Sequence, residues 1–323
     1  MAIVCKWPIK FLQDKLLNIY TGDLWIFGAS SGFGKSTISR MIAMEANQCD
    51  NSVVLYSLEN KPGTYADEET RILYNKETGS RIEARAFKEM ENKDKDAFIK
   101  YRQMVYENSK KTNSQGLKLL KLHEDVRGQN IGVDELLRSI QQEYNEGYRL
   151  FLIDHVDMLI TNERNELAET ISNMNKLWAF VANHDVAFIV FSQLRELPPN
   201  VIIANEEQLR GSKTKGQRAT GVITLAPHDY GIYQAVNHPF AHPTYIRIAK
   251  SRDGRSSTGC AVCFFENDKY LDGYKEIMCD KQGVLVGGLT REKMVKYKQQ
   301  EEEKLKKAGQ NLQYDGNDII VNY

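Results

Sequence analysis

The chain has little of what would mark a membrane or secreted protein. No apolar run approaches the roughly 18–20 residues that a membrane-spanning helix needs, which excludes a transmembrane segment of that kind. The opening MAIVCKWPIK has no apolar core of the signal-peptide type, so the expected location is the cytoplasm. Five cysteines in 323 residues are too few and too scattered for a disulfide framework. The one close pair, Cys260 and Cys263, lies in GCAVCFF, which reads as a strand. Residues three apart on a strand face opposite sides, so strand packing is expected of these thiols rather than a shared metal. Neither sign of charge is in excess, with 43 Lys+Arg against 43 Asp+Glu. That balance argues against nucleic-acid binding by bulk electrostatic attraction. Internal repeats and Pro/Gly-rich linkers are also missing. What is present, 41% hydrophobic and 27% charged residues, suffices for a sizeable core and excludes a wholly disordered chain.

The neutral total hides an uneven distribution. Residues 121–209 carry 7 basic and 15 acidic side chains, whereas residues 210–323 carry 18 and 13. Within 210–255, Arg210, Lys213, Lys215, Arg218, Arg247, Lys250, Arg252 and Arg255 face only Asp229 and Asp253. A local anion-binding segment is therefore compatible with overall neutrality, and affinity for nucleic acid should be weak and salt-sensitive without nucleotide.

Short apolar runs at Leu24–Phe27, Val53–Tyr56, Leu150–Ile153, Ala187–Phe191 and Val222–Leu225 read as buried strands. Helical patterns alternate with them at Ser36–Asn47, Val133–Tyr144 and Glu166–Asn183. This alternation predicts an α/β fold with a mainly parallel sheet covered by helices on both faces. Tyr245–Ala249 and Ala261–Phe265, joined by SRDGRSSTG, predict a hairpin at one sheet edge. Residues 66–113 read as charged, solvated helices on the flank, inside one domain spanning 1–290. Residues 291–323 read as a charged helical tail.

The strongest chemical signal is Ala29-Ser30-Ser31-Gly32-Phe33-Gly34-Lys35-Ser36, followed by Thr37. It fits the Walker A pattern, with Ala29 where the strict form has glycine and Gly28 one residue earlier. Such a loop turns successive N–H groups inward onto phosphate oxygens, and the following helix adds the positive end of its dipole. Lys35 is expected at the β- and γ-phosphates of ATP and Ser36 on Mg²⁺. Leu150-Phe151-Leu152-Ile153-Asp154 has the Walker B form, an apolar strand ending in a carboxylate that holds Mg²⁺. Asp157 is an alternative ligand lying past the strand end. Glu59, ending VVLYSLE, is the candidate base for the attacking water, although a solvated surface acid fits that position equally. Gln193, ending VFSQ, is a candidate γ-phosphate sensor or an ordinary polar residue leaving the sheet. Four strand ends thus deliver these groups to one edge, where ligands sit in open α/β sheets.

In order along residues 10–266, these segments resemble the RecA-type ATPase domain of DnaB-like replicative helicases, including the helicase portion of phage primase–helicases. The pieces are PIKFLQDKLLNIYTGDL, the phosphate loop, SLEN, FLIDHVDML, FSQLREL, QLRGS (Gln208–Ser212) and IAKSRDG (Ile248–Gly254). The resemblance implies a RecA-like P-loop fold and ATP-driven motion 5′→3′ along single-stranded DNA in a hexameric ring. It also implies that Lys250 and Arg252 reach a neighbouring subunit's ATP, a role worth on the order of 10³–10⁵ in rate. The chain starts almost directly at the ATPase portion, so ring assembly is expected to rely on other contacts or on a primase or loader acting in trans. The family's DNA-contacting loop falls after Gln193, where RELPPNVIIANEEQ holds no basic residue beyond Arg195. Arg195, Arg210, Lys213 and Lys215 are the DNA-contact candidates. A RecA-fold ATPase of recombination or helicase loading, and an ATP-dependent replication scaffold, remain alternatives.

Overall fold

The computed structural model describes residues 1–30, 34–93, 96–124, 131–159, 165–197, 201, 203–209, 214–227, 233–235, 238, 241–252, 259–266, 268–279 and 319–321. The chain begins with strand β1 (Ile3–Lys6), helix α1 (Lys10–Leu16) and strand β2 (Asn18–Tyr20), which pairs antiparallel with β1. The central alternation follows: β3 (Leu24–Ala29), α2 (Lys35–Gln48) and β4 (Val53–Ser57). Next come the helices α3 (Thr64–Thr78), α4 (Ala84–Lys93) and α5 (Asp96–Ser109), then β5 (Leu120–His123). The chain continues through α6 (Val133–Glu146), β6 (Leu150–Asp154), α7 (Glu166–Asn183), β7 (Ala187–Gln193), α8 (Thr214–Arg218) and β8 (Gly221–Pro227). After β9 (Tyr233–Ala235) come β10 (His242–Ser251), β11 (Gly259–Glu266), β12 (Lys269–Ile277) and β13 (Ile319–Val321), the last pairing with β9.

Nine strands form one sheet in the order β12-β11-β10-β8-β3-β7-β6-β4-β5. The six from β8 to β5 run parallel, and β10, β11 and β12 extend the sheet antiparallel. Because helices cover both faces of the parallel part, its strands read as unbroken apolar runs. Side chains of β3 alternate accordingly. Trp25, Phe27 and Ala29 join the cluster under α1 and α2, while Leu24 and Ile26 join the one under α6 and α7. On the helix side, Ile38, Ile42 and Ala46 of α2 pack into the first cluster, and Leu136, Ile140, Met174, Leu177 and Val181 into the second.

The antiparallel end of the sheet matches expectation, and the reading of residues 66–113 is corrected. The hairpin formed by β10 and β11 pairs as expected, with Ile246 opposite Ala261, in the antiparallel end of the sheet, and β12 completes that edge by pairing with the outer side of β11. Residues 66–113 are more than solvated helices. Phe87, Phe98 and Tyr101 are buried in a satellite cluster with Tyr74, and the Phe87 and Phe98 rings meet at 4.8 Å. Buried Arg40 of α2 ties this insert down through Glu68 and Glu69, and Arg71 reaches Asp268, before β12, at 3.0 Å. Strands β1, β2, β5 and β12 carry no strong periodic signal and were not among the expected elements. Cys260 and Cys263 do face opposite ways, into different clusters, and burial pushes both thiols up. No cluster of three or more metal-ligating acids, cysteines and histidines occurs among the described residues. Nor is any described helix long and apolar enough to cross a membrane.

Candidate active site

Parallel registration brings the carboxyl ends of β3, β4, β6 and β7 together. Ala29 lies opposite Gln193, and Ser57 opposite Asp154. From β3 the chain leaves through the phosphate loop, of which Ala29, Ser30 and Gly34–Thr37 are described; Ser31, Gly32 and Phe33 lie outside the described residues. Gly34 precedes α2 with φ of +80°, a left-handed conformation that side chains disfavour, and an added Cβ there would meet no described atom within 4 Å. No side chain among the described residues caps α2, which leaves its first amides available to an anion at the helix start. Gly28 serves a different purpose. A Cβ on it would stand 2.6 Å from Leu209 Cδ2 and 3.0 Å from Leu194 Cδ2, so glycine here admits close packing under the site.

Lys35 is buried, with Nζ 3.5 Å from the Ser30 carbonyl. Ser36 donates its hydroxyl to Asp154 Oδ2 at 3.2 Å. Asp154 is itself buried, and its Oδ1 has no hydrogen-bond partner among the described residues. Burial pushes the Asp154 carboxyl up, against the opposing pull of His155, Lys35 and Ser36. A desolvated carboxylate oxygen beside a serine hydroxyl is an oxygen set that Mg²⁺ bound to nucleotide would satisfy, so the residues fit the ion, and the nearby Lys35 ammonium suits the phosphates instead.

Glu59 sits two residues beyond the end of β4, with its side chain 44% exposed and Oε2 3.1 Å from His155 Nε2. Its loop is pinned by Glu124, which follows β5: the carboxylate accepts the N–H groups of Gly63 and Tyr65 at 2.8 and 3.0 Å, where α3 begins. Gln193 brings its side-chain amide within 3.3 Å of the same His155 nitrogen. Groups named from sequence thus converge, joined by His155, which no sequence signal singled out. Only its position next to a Walker B aspartate could have pointed to it.

The remaining candidates part company. Asp157 is no alternative metal ligand: its side chain is 2% exposed and ion-paired to Lys215. Lys215 is correspondingly no surface DNA contact, since it is 1% exposed and donates to Ser192 Oγ at 3.0 Å. The helix carrying it is short and docks inward, which a run of basic residues does not reveal. Arg195 is exposed, its N–H bonded to the Gln208 carbonyl at 2.7 Å, whereas Arg210 and Lys213 lie outside the described residues. Lys250 donates to the Gly216 carbonyl, and burial followed by the adjacent Arg252 lowers its pKa. Arg252 is exposed at the end of β10, its N–H donated to the Thr220 carbonyl at 2.9 Å.

Comparison with solved structures places this geometry in a known fold. A solved ATPase domain superposes with a TM-score of 0.62 at 16% identity, over 83% of this chain and 90% of that one. A DnaB-like replicative helicase, solved for its interactions with primase, gives 0.62 and 16% over 83% of this chain and 63% of the other. A KaiC-like protein, PH0186 from Pyrococcus horikoshii OT3, gives 0.52 and 17% over 84% and 99%. At these identities the likeness establishes the RecA-like fold alone. No curated protein matches the sequence. The profile of the DnaB-like helicase C terminal domain, however, matches residues 9–270, which takes in β3, the phosphate loop and the ends of β4, β6 and β7. With that match across most of its length, the chain belongs to the DnaB-like helicase family of RecA-fold ATPases.

Proposed function

We propose that the chain is an ATP-hydrolysing motor that moves 5′→3′ on single-stranded DNA as a hexameric ring and separates strands during replication. One observation carries the hydrolytic reading: Lys35, Ser36, Asp154, Glu59 and Gln193 meet at one sheet edge, and buried Asp154 keeps an oxygen that no described residue satisfies. In this reading Lys35 and the amides at the start of α2 hold the phosphates, and Ser36 and Asp154 hold Mg²⁺. When bound, the ion neutralises charge building on the phosphoryl oxygens. Glu59, exposed and oriented by His155, orients the attacking water and takes its proton. Gln193, at the end of β7, meets the γ-phosphate.

Arg252 supports the ring. It is exposed on a strand end next to Lys250, and an exposed guanidinium there serves a neighbouring protomer's nucleotide better than its own fold. Contact with primase, described for one structural neighbour, extends to this chain as part of the same proposal. Residues 195–213 are the proposed DNA-facing segment, with Arg195, Arg210 and Lys213 as its cations.

The test is ATPase activity with and without single-stranded DNA, followed by unwinding of forked duplexes. Stimulation by DNA, a requirement for a 5′ tail, and loss of turnover in Lys35→Ala are expected. Turnover indifferent to DNA would overturn the motor reading in favour of a loader or scaffold. Ordinary turnover in Lys35→Ala would overturn the phosphate-loop assignment.

A further inference from the structure

Lysine is among the residues least often fully buried, and a buried lysine is kept charged only by a partner. Lys215 is 1% exposed and its partner Asp157 has a 2% exposed side chain, so both charges lie in the interior. A buried pair of this kind is weak evidence of stabilisation, because apolar residues of similar volume serve a core as well or better. Its other contacts therefore decide what it does.

Those contacts lead to the hydrolytic residues. Asp157 Oδ2 accepts the Gln193 N–H at 2.8 Å and the Ser192 hydroxyl at 3.1 Å, which fixes the end of β7. The same oxygen lies 3.4 Å from His155 Nδ1, while the opposite ring nitrogen faces Glu59 at 3.1 Å and Gln193 Nε2 at 3.3 Å. The imidazole thus lies between a buried carboxylate on one side and the exposed Glu59 on the other. Lys215 sits on α8, and the next residue, Gly216, gives its carbonyl to Lys250. One short helix therefore touches the interior of the hydrolytic cluster and the strand that leads to Arg252.

We propose that Lys215 and Asp157 form a positioning pair that fixes His155 and the end of β7, and through His155 sets the orientation of Glu59. The proposal rests on the reading of Glu59 as the hydrolytic base. Neither member of the pair touches nucleotide. Their effect passes through His155 and Gln193, so it falls on turnover and not on nucleotide affinity.

The decisive variant is Asp157→Asn/Lys215→Met, which removes both charges at nearly constant volume and keeps an acceptor for the Gln193 N–H. Its urea midpoint, its affinity for a non-hydrolysable ATP analogue, and its steady-state kcat and KM are measured on the full chain, with single-stranded DNA present. The expected result is a midpoint near wild type, affinity within about twofold, and kcat lower by about tenfold to a hundredfold, the cost of a small misplacement of reacting groups. Combined with Glu59→Gln, the pair should cost clearly less than the product of the two separate losses, because its effect passes in part through Glu59 by way of His155. A kcat within twofold of wild type, or a loss of stability that accounts for the loss of rate, overturns the proposal. Independent, multiplying effects of the pair and of Glu59→Gln overturn it as well. Ordinary turnover in Glu59→Gln by itself defeats the underlying base assignment instead, so the two failures are distinct.

Discussion

If Arg252 completes a neighbour's site, its loss and the loss of Glu59 reside in different protomers of one interface. Arg252→Ala and Glu59→Ala each remove one half of every site in a uniform ring. Each alone should fall by about 10³-fold or more, the usual worth of a charge-stabilising finger or of a lost hydrolytic group. The structure separates the two groups clearly. Glu59 is held from within its own protomer, by His155 and by the Glu124-pinned loop, whereas Arg252 is exposed at the end of β10 with its backbone N–H engaged at Thr220. In rings mixed one to one, an interface works when the nucleotide-holding protomer keeps Glu59 and its neighbour keeps Arg252. Random placement makes this about one interface in four, so activity should return to about a quarter of wild type if interfaces act independently. That exceeds either variant alone by about two orders of magnitude, well beyond assay error. The measurement is DNA-stimulated ATPase across mixing ratios, with subunit exchange confirmed by tagged protomers. A rate that stays at the level of the single variants at every ratio, with mixing confirmed, refutes a trans-acting Arg252.

Two further predictions concern how the site is held. Arg40→Met leaves Glu68 and Glu69 without the guanidinium that joins α3 to α2. The loss should lie near the lower end of the roughly 3–5 kcal/mol for a broken buried pair, because both acids keep some solvent; urea unfolding should show it, and a change below about 1 kcal/mol would refute it. Asp157 gives a pH signature. Burial would raise its carboxyl, but His155, Lys215 and the Gln193 N–H more than offset this, and its folded pKa lies well below the usual carboxylate range. The stability it contributes is complete above the ordinary carboxylate pKa and is lost as pH falls toward the folded value. Acid unfolding of Asp157→Asn should accordingly depend less steeply on pH below about 4 than wild type does, and an unchanged slope would refute the assignment.

Much of this was legible in the sequence because it is local. The strand runs, the period of α2, α6 and α7, the phosphate loop and the carboxylate ending β6 each depend on residues a few positions apart, whose pattern is set by burial on one face or two. Expected and observed bounds agree to within a few residues in the central elements; Glu166–Asn183 is identical in both. Gly28 marks where local reading stops. In sequence it is an offset glycine of the phosphate loop, and in three dimensions its missing Cβ makes room for Leu209, 181 positions away.

The sequence by itself named the candidates for the chemistry: a phosphate loop, a strand-end acid, a candidate base and a candidate sensor, in the order of the DnaB-like helicase family. The tertiary structure alone decided which charges belong to that chemistry. Lys215 looks, in sequence, like one more cation in a basic run, and only the docking of α8 against α7 and β3 turns it inward onto Asp157 and Ser192. His155 and Asp157 likewise gained their places from the pairing of β6 with β7 and β4. Charge in a sequence carries no direction. Whether a side chain meets solvent or a buried partner depends on contacts between distant segments, and those form only when the sheet assembles.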